Sequence, residues 1–133
     1  MFPPKPPKGA DPRMYFFLFL LTLGTTLGYQ GWTLLYTNFA VESAHLSAAD
    51  NGLVQSLREV PGLLGFLIIP LLLVMKEHRV AAVAALATGL GTALTGFFPS
   101  FVPVILTTLL MSFGFHFFEA VNQSLLLQYF DVR

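Results

Sequence analysis

From Met14 to Tyr36 the chain runs for 23 residues without a charged side chain, MYFFLFLLTLGTTLGYQGWTLLY. A helix needs about 20 largely apolar residues to cross a hydrocarbon core of about 30 Å, so this run predicts a membrane span at about residues 14–36. The apolar core of a secretory signal is only about 7–15 residues and ends at a small-residue cleavage site; this run is longer and shows no such site. The rest of the chain has the same character, with 55% hydrophobic and 11% charged residues, where ordinary globular domains carry about 25% charged. A soluble surface so poor in charge associates non-specifically, which argues against a free cytosolic enzyme. Seven basic and seven acidic residues cancel, so the basic excess of a nucleic-acid binder is missing. With no cysteine, disulfide scaffolds, thiolate metal sites and cysteine nucleophiles are excluded.

Residues 1–13 hold five of the nine prolines and no apolar periodicity, and read as a disordered, extended Pro/Lys tail. Residues 14–133 form the membrane-embedded part. After the first span, Glu42, His45 and Asp50 mark a polar loop. Ser47 is a good N-cap with Asp50 three residues on as its acidic partner, opening a second span to about residue 75 that contains Pro61 and Pro70 as expected kinks. Lys76 to Arg79 punctuate the chain. A third span rich in Ala and Gly covers about residues 80–97, and after the FFPSF turn, with Pro103 suited to a first helical turn, a fourth covers about residues 101–125. The expected fold is an all-α integral membrane protein with four transmembrane helices.

Basic residues of short loops stay on the cytoplasmic side. With the N-terminus in the cytoplasm, Lys5, Lys8, Arg13, Lys76, Arg79 and Arg133 all fall on that side and none in an outer loop, so both termini are expected to be cytoplasmic. Trp32, Tyr36, Phe97, Phe98 and Phe101 then mark the outer aromatic belt and Tyr15, Tyr129 and Phe130 the inner one. Small residues let helices approach closely in lipid, where hydrophobicity does not drive association; Gly24, Gly28 and Gly31 in the first span and Gly89, Gly91 and Gly96 in the third are the candidates.

An ionisable group within a span costs about 2.5–3.5 kcal/mol on insertion scales and so faces protein or a water-filled cavity. Arg58 and Glu59 in the second span and His116 and Glu119 in the fourth are such groups. His116 and Glu119 are three apart and share a helix face, which Asn122 and Gln123 extend by a turn. Gln30 adds an amide within the first span. Gln30, Arg58, Glu59, His116, Glu119 and Asn122 are therefore the expected substrate or ion path; the plainer reading of the same residues is a network that neutralises buried charge and fixes helix register. No HExxH, G-x-S-x-G or phosphate-binding glycine loop is present, and the three histidines fall in an outer loop, an inner loop and a span. No enzyme, no metal and no cofactor is expected.

The layout has a precedent. A basic tail, a long span, LSAADNGLVQSL opening the second span, a short charged loop, a Gly/Ala-rich third span, an FPSF turn and a fourth span with FGF together resemble the first four helices of a major facilitator superfamily transporter, over about Met14 to Arg133. Leu46, Ser47, Gly52, Leu53 and Ser56 match that family's segment entering its second helix. The family's loop between helices two and three is matched only at Arg79, with Pro70 and Val74 standing where it has Gly and Asp, and Leu110 stands near its fourth-helix Arg. By this resemblance, proton coupling would fall to Glu119 or His116.

The resemblance implies alternating-access transport of a small solute by, or as part of, a secondary transporter of about twelve helices whose substrate sits between two halves. Its partners would be the lipid bilayer, an unspecified small-molecule substrate, and other membrane subunits or the remainder of a transporter. One alternative is a non-transporting accessory subunit of a larger membrane complex. Another is a dimeric small multidrug-type exporter, although the first span lacks the membrane glutamate of those proteins. Short loops and the absence of cysteine point to a bacterial inner membrane.

Overall fold

The structure, a computed structural model, describes residues 11–129. Among the described residues it is all-helical: α1 (Pro12–Glu42), α2 (Ala48–Leu63), α3 (Ile68–Val74), α4 (Glu77–Phe97) and α5 (Phe101–Tyr129), with a 3-10 turn at Gly65–Leu67 joining α2 to α3. Lys5, Lys8, Phe130 and Arg133, on which the expected orientation partly rests, lie outside the described residues, as do the first ten residues of the expected tail. Its last residues already belong to α1. Asp11 caps the helix, its carboxylate accepting from the Arg13 amide at 2.9 Å, and Pro12 occupies the first turn, where a missing N–H costs no helical bond.

The expected start of the second helix is present as a complete capping box. The Ser47 hydroxyl accepts from the Asp50 amide at 3.2 Å and the Asp50 carboxylate accepts from the Ser47 amide at 3.1 Å. The expected second span is not one straight rod. Pro61, buried inside α2, has no N–H for the Leu57 carbonyl. Three residues later the chain breaks, and α2 meets the Gly65–Val74 segment at 46°. Pro70 produces no kink of its own, because it falls in the first turn of α3. The Lys76–Arg79 punctuation is mostly helix: α4 begins at Glu77, whose carboxylate suits the positive end of the helix dipole.

Among the described residues, α4 and α5 are long and apolar enough to cross a membrane, with mean hydropathy of 1.7 and 1.8 over their most apolar stretches, and the bent α2–α3 pair is a third candidate. α1, although 31 residues long, is not in this set. Its centre is diluted by Gly24, Thr25, Thr26, Gly28, Tyr29 and Gln30. Leu34, Leu63, Leu73, Val74, Phe97 and Leu127 are each at least three-quarters exposed, an outward apolar surface that hydrocarbon accepts and water does not.

α5 is the central element, with α4 along its whole length and α1 and α2 on its other sides. The pairings are regular. On α1 and α5, Thr22 meets Asn122 and Tyr29 meets Phe115, so the two helices run antiparallel in step. On α2 and α5, Arg58 meets Ser112 and Gly62 meets His116, so those two run parallel. Two apolar clusters hold the bundle: Leu18, Val80, Ala81, Ala84, Phe118, Val121 and Leu125 towards one end, and Trp32, Tyr36, Ala40, Val54, Val104 and Met111 towards the other. Arg13 and His78 line one pocket, which places the N-termini of α1 and α4 at the same end.

Candidate functional site

The six path residues do not converge on one internal cavity. Gln30, Glu59 and Glu119 are exposed on the outside of the helices, Arg58 and His116 are half-buried, and Asn122 alone is buried. Gln30 thus departs from the inward position expected of it: Tyr29, its neighbour in sequence, takes the contact with α5, and a residue one step round the helix necessarily points elsewhere.

Arg58 and Glu59 form a self-contained pair. Arg58 Nη2 and Nε donate to Glu59 Oε1 at 2.6 and 2.9 Å, and the guanidinium stands 5.5 Å from the centre of the Trp32 ring. A cation over an indole face is stabilised by the ring quadrupole, so charge pairing and aromatic contact together hold Arg58 against α1. Its backbone is held too, because the Ser112 hydroxyl donates to the Arg58 carbonyl. Trp32 and Tyr36, expected in an outer aromatic belt, are instead buried at 4% and 2% exposure and stacked at 4.3 Å. They fall on the α1 face that meets α2 and α5, and pack against those helices rather than standing on the outside of the bundle.

His116 and Glu119 share a helix but not an environment. The imidazole packs against Gly62 of α2, where an added Cβ would lie 3.1 Å from His116 Cε1. A side chain at position 62 would require the ring to shift by a few tenths of an ångström. Glu119 makes no hydrogen bond or ion pair among the described residues. On α5 it falls between Phe115 and Asn122, which meet α1, and Ser112 and His116, which meet α2. Just past the Gly62–His116 contact the α2–α3 chain bends, and one turn further along α5 Glu119 is exposed.

The helix pairing sets Glu119 level with Thr25 and Thr26 of α1. Thr22, Thr26, Gln30, Thr33 and Thr37 recur at three- and four-residue spacing, forming a polar stripe along α1. Thr22 Oγ1 donates to Asn122 Oδ1 at 3.4 Å, and Tyr29 stacks on Phe115 with ring centres 3.7 Å apart. α1 and α5 together therefore present one elongated face of hydroxyls, amides, a stacked aromatic pair and one free carboxylate. No family model, no curated protein and no solved structure matches the chain.

The α1–α5 face carries no nucleophile paired with a base, and among the described residues no three His, Asp or Glu side chains gather as a metal site. At the end of the bundle where α4 begins, Glu77 accepts from Gln128 Nε2 at 2.8 Å and from the Ser124 hydroxyl at 3.4 Å, tying α4 to the last turns of α5. Glu119 lies five residues from Ser124, about 7.5 Å further along the helix. Ser112, Thr22 and the Tyr29–Phe115 stack were missed in the sequence. Ser112 had one readable signal, since it stands four residues before His116 on the same helical face.

Proposed function

We propose that the chain forms part of a facilitator-type secondary transporter that moves a small solute across a membrane. The observation carrying this reading is the polar face shared by α1 and α5, with Glu119 unpaired at its centre. A carboxylate and a row of amides and hydroxyls facing lipid would be costly, so this face suits a water-filled path completed by membrane segments opposite it. The reading includes α1 as a fourth span and both termini in the cytoplasm. Arg13, Lys76 and Arg79 flank the end of the bundle where α1 and α4 begin, which is the distribution the positive-inside rule favours. It also places the chain in a bacterial inner membrane and in kinship with the major facilitator superfamily, through Leu46, Ser47, Gly52, Leu53 and Ser56.

The test is uptake into proteoliposomes holding the chain with whatever membrane subunits accompany it on mild extraction. Solute-dependent uptake that follows a pH gradient, and loses that dependence in Glu119→Gln, supports the reading. Uptake equal to that of empty vesicles across a broad solute panel sinks it. A second reading, a non-transporting accessory subunit, is favoured by the outward placement of Gln30, Glu59 and Glu119. Fixed-stoichiometry co-purification with a complex of different activity would select it.

A further inference from the structure

We propose that Glu119 and the Tyr29–Phe115 stack form a binding site for an organic cation, a monovalent ammonium- or phosphonium-type ion with an apolar body. The assignment deepens the transport reading and rests on it for its biological use, but binding itself needs only the face that the structure contains.

Charge is the first argument. Well inside the helices the chain has three formally charged side chains, Arg58, Glu59 and Glu119. Arg58 is neutralised by Glu59 at 2.6 Å, which leaves one uncompensated negative charge on the α1–α5 face. The nearest titratable group along the chain, His116, has its ring against Gly62 of α2 and edge-on to Phe115, with ring centres 5.6 Å apart, and Arg58 lies two turns away at the level of Ser112. An anionic solute would meet repulsion at Glu119 and find Arg58 already paired. A neutral solute would leave the carboxylate unpaired.

Shape and polarisability are the second argument. Phe115 is one turn before Glu119 on the same side of α5, and its ring is stacked nearly parallel on Tyr29, at 10° between planes. Aromatic faces attract cations, most strongly when both are out of water. Gln123 one turn beyond Glu119, and Thr26 across on α1, are uncharged hydrogen-bonding groups that tolerate a cation without competing for the carboxylate. A bulky organic cation fits this combination better than a metal ion, because one carboxylate cannot replace the oxygen shell that a small hard cation requires.

The experiment is equilibrium binding of tetraphenylphosphonium to the purified full chain in mild detergent, with protein-free micelles as background and tetraphenylborate as the anionic match in size. Saturable binding of the cation and not of the anion is expected. Glu119→Gln should weaken it by at least about tenfold, Glu119→Asp should retain most of it, and Phe115→Leu should weaken it less than Glu119→Gln does. Glu42→Gln, which removes a carboxylate from the far end of α1, should leave it unchanged. Matching helical content and a single symmetric elution peak show that each variant is folded. Equal binding of both ions, no binding above micelles, or full affinity in folded Glu119→Gln overturns the assignment. A chain that binds the cation yet moves nothing in vesicles sinks the transport reading alone; uptake of another solute by a chain that ignores the cation sinks this assignment alone.

Discussion

Gly91 of α4 rests directly on the backbone of Met111 of α5: a Cβ added at position 91 would fall 2.6 Å from the Met111 Cα. Gly114 makes the reciprocal contact, where an added Cβ would lie 2.5 Å from the Ala84 carbonyl oxygen and the Thr88 amide nitrogen. Both obstacles are backbone, which cannot rotate aside. Gly91→Val and Gly114→Val should therefore each destabilise the bundle by about 1–3 kcal/mol or more, the usual cost of overpacking. Gly24→Ala and Gly89→Ala, where an added Cβ meets nothing within 4 Å, should cause no comparable loss. The midpoint of denaturant unfolding in micelles, followed by helical circular dichroism, measures all four.

These glycines show what could be read from the sequence. The helical class, the Ser47–Asp50 cap and the turn before Phe101 were legible, because each depends on residues adjacent in the chain. Which of the candidate glycines make close contacts was not legible. Gly24 and Gly28 have the spacing of a packing motif, yet only Gly28 approaches α4, with Thr88 and Thr92 each 3.9 Å from an added Cβ. Gly62, never singled out, proves to be the one that accommodates His116. Spacing marks a face of a helix, but which face is covered depends on the neighbours. The same limit explains Trp32 and Tyr36: their position near a span's end predicted a membrane belt, while packing against α2 and α5 made them core.

The Ser112 hydroxyl bonded to the Arg58 carbonyl joins α5 to α2 four residues before the Gly62–His116 contact. Hydrogen bonds between membrane helices contribute on average about 0.6 kcal/mol, up to about 1.7. Ser112 is fully buried, so Ser112→Ala should cost about 1 kcal/mol in the same unfolding assay. Ser56→Ala should cost less, because that hydroxyl donates only to the Gly52 carbonyl of its own helix. Equal losses in the two variants would show that the α2–α5 bond contributes nothing of its own.

Arg58 lies over the indole of Trp32, the chain's single tryptophan. Arg58→Gln should therefore shift Trp32 emission while Glu59→Gln shifts it less, since the second change keeps the cation over the ring. In stability, a double-mutant cycle across Arg58 and Glu59 should give a favourable coupling of about 0.5–1 kcal/mol. The coupling is modest because the Glu59 side chain is 58% exposed. An emission maximum indifferent to both substitutions would remove Arg58 from the aromatic face.

The number of spans turns on α1, and the absence of native cysteine makes it directly measurable. Single cysteines at Ala10, Ser43, Lys76 and Ser100 mark the two ends of α1, the end of α3 and the α4–α5 turn. With four spans and cytoplasmic termini, a membrane-impermeant maleimide added outside intact cells labels Ser43→Cys and Ser100→Cys, and reaches Ala10→Cys and Lys76→Cys only after the membrane is opened. If Ala10→Cys and Ser43→Cys label from the same side, α1 lies along the bilayer or against a partner. Its polar stripe of Thr26, Gln30 and Thr33 is then a surface face rather than a lining. If Ser43→Cys and Lys76→Cys label together, the 46° bend belongs to a re-entrant loop, and α2 and α3 enter and leave on one side. The four-span topology requires opposite labelling in both comparisons. It would let a helix interrupted by glycines, threonines and Gln30 cross the membrane, because α4 and α5 cover one side of it and a polar path the other.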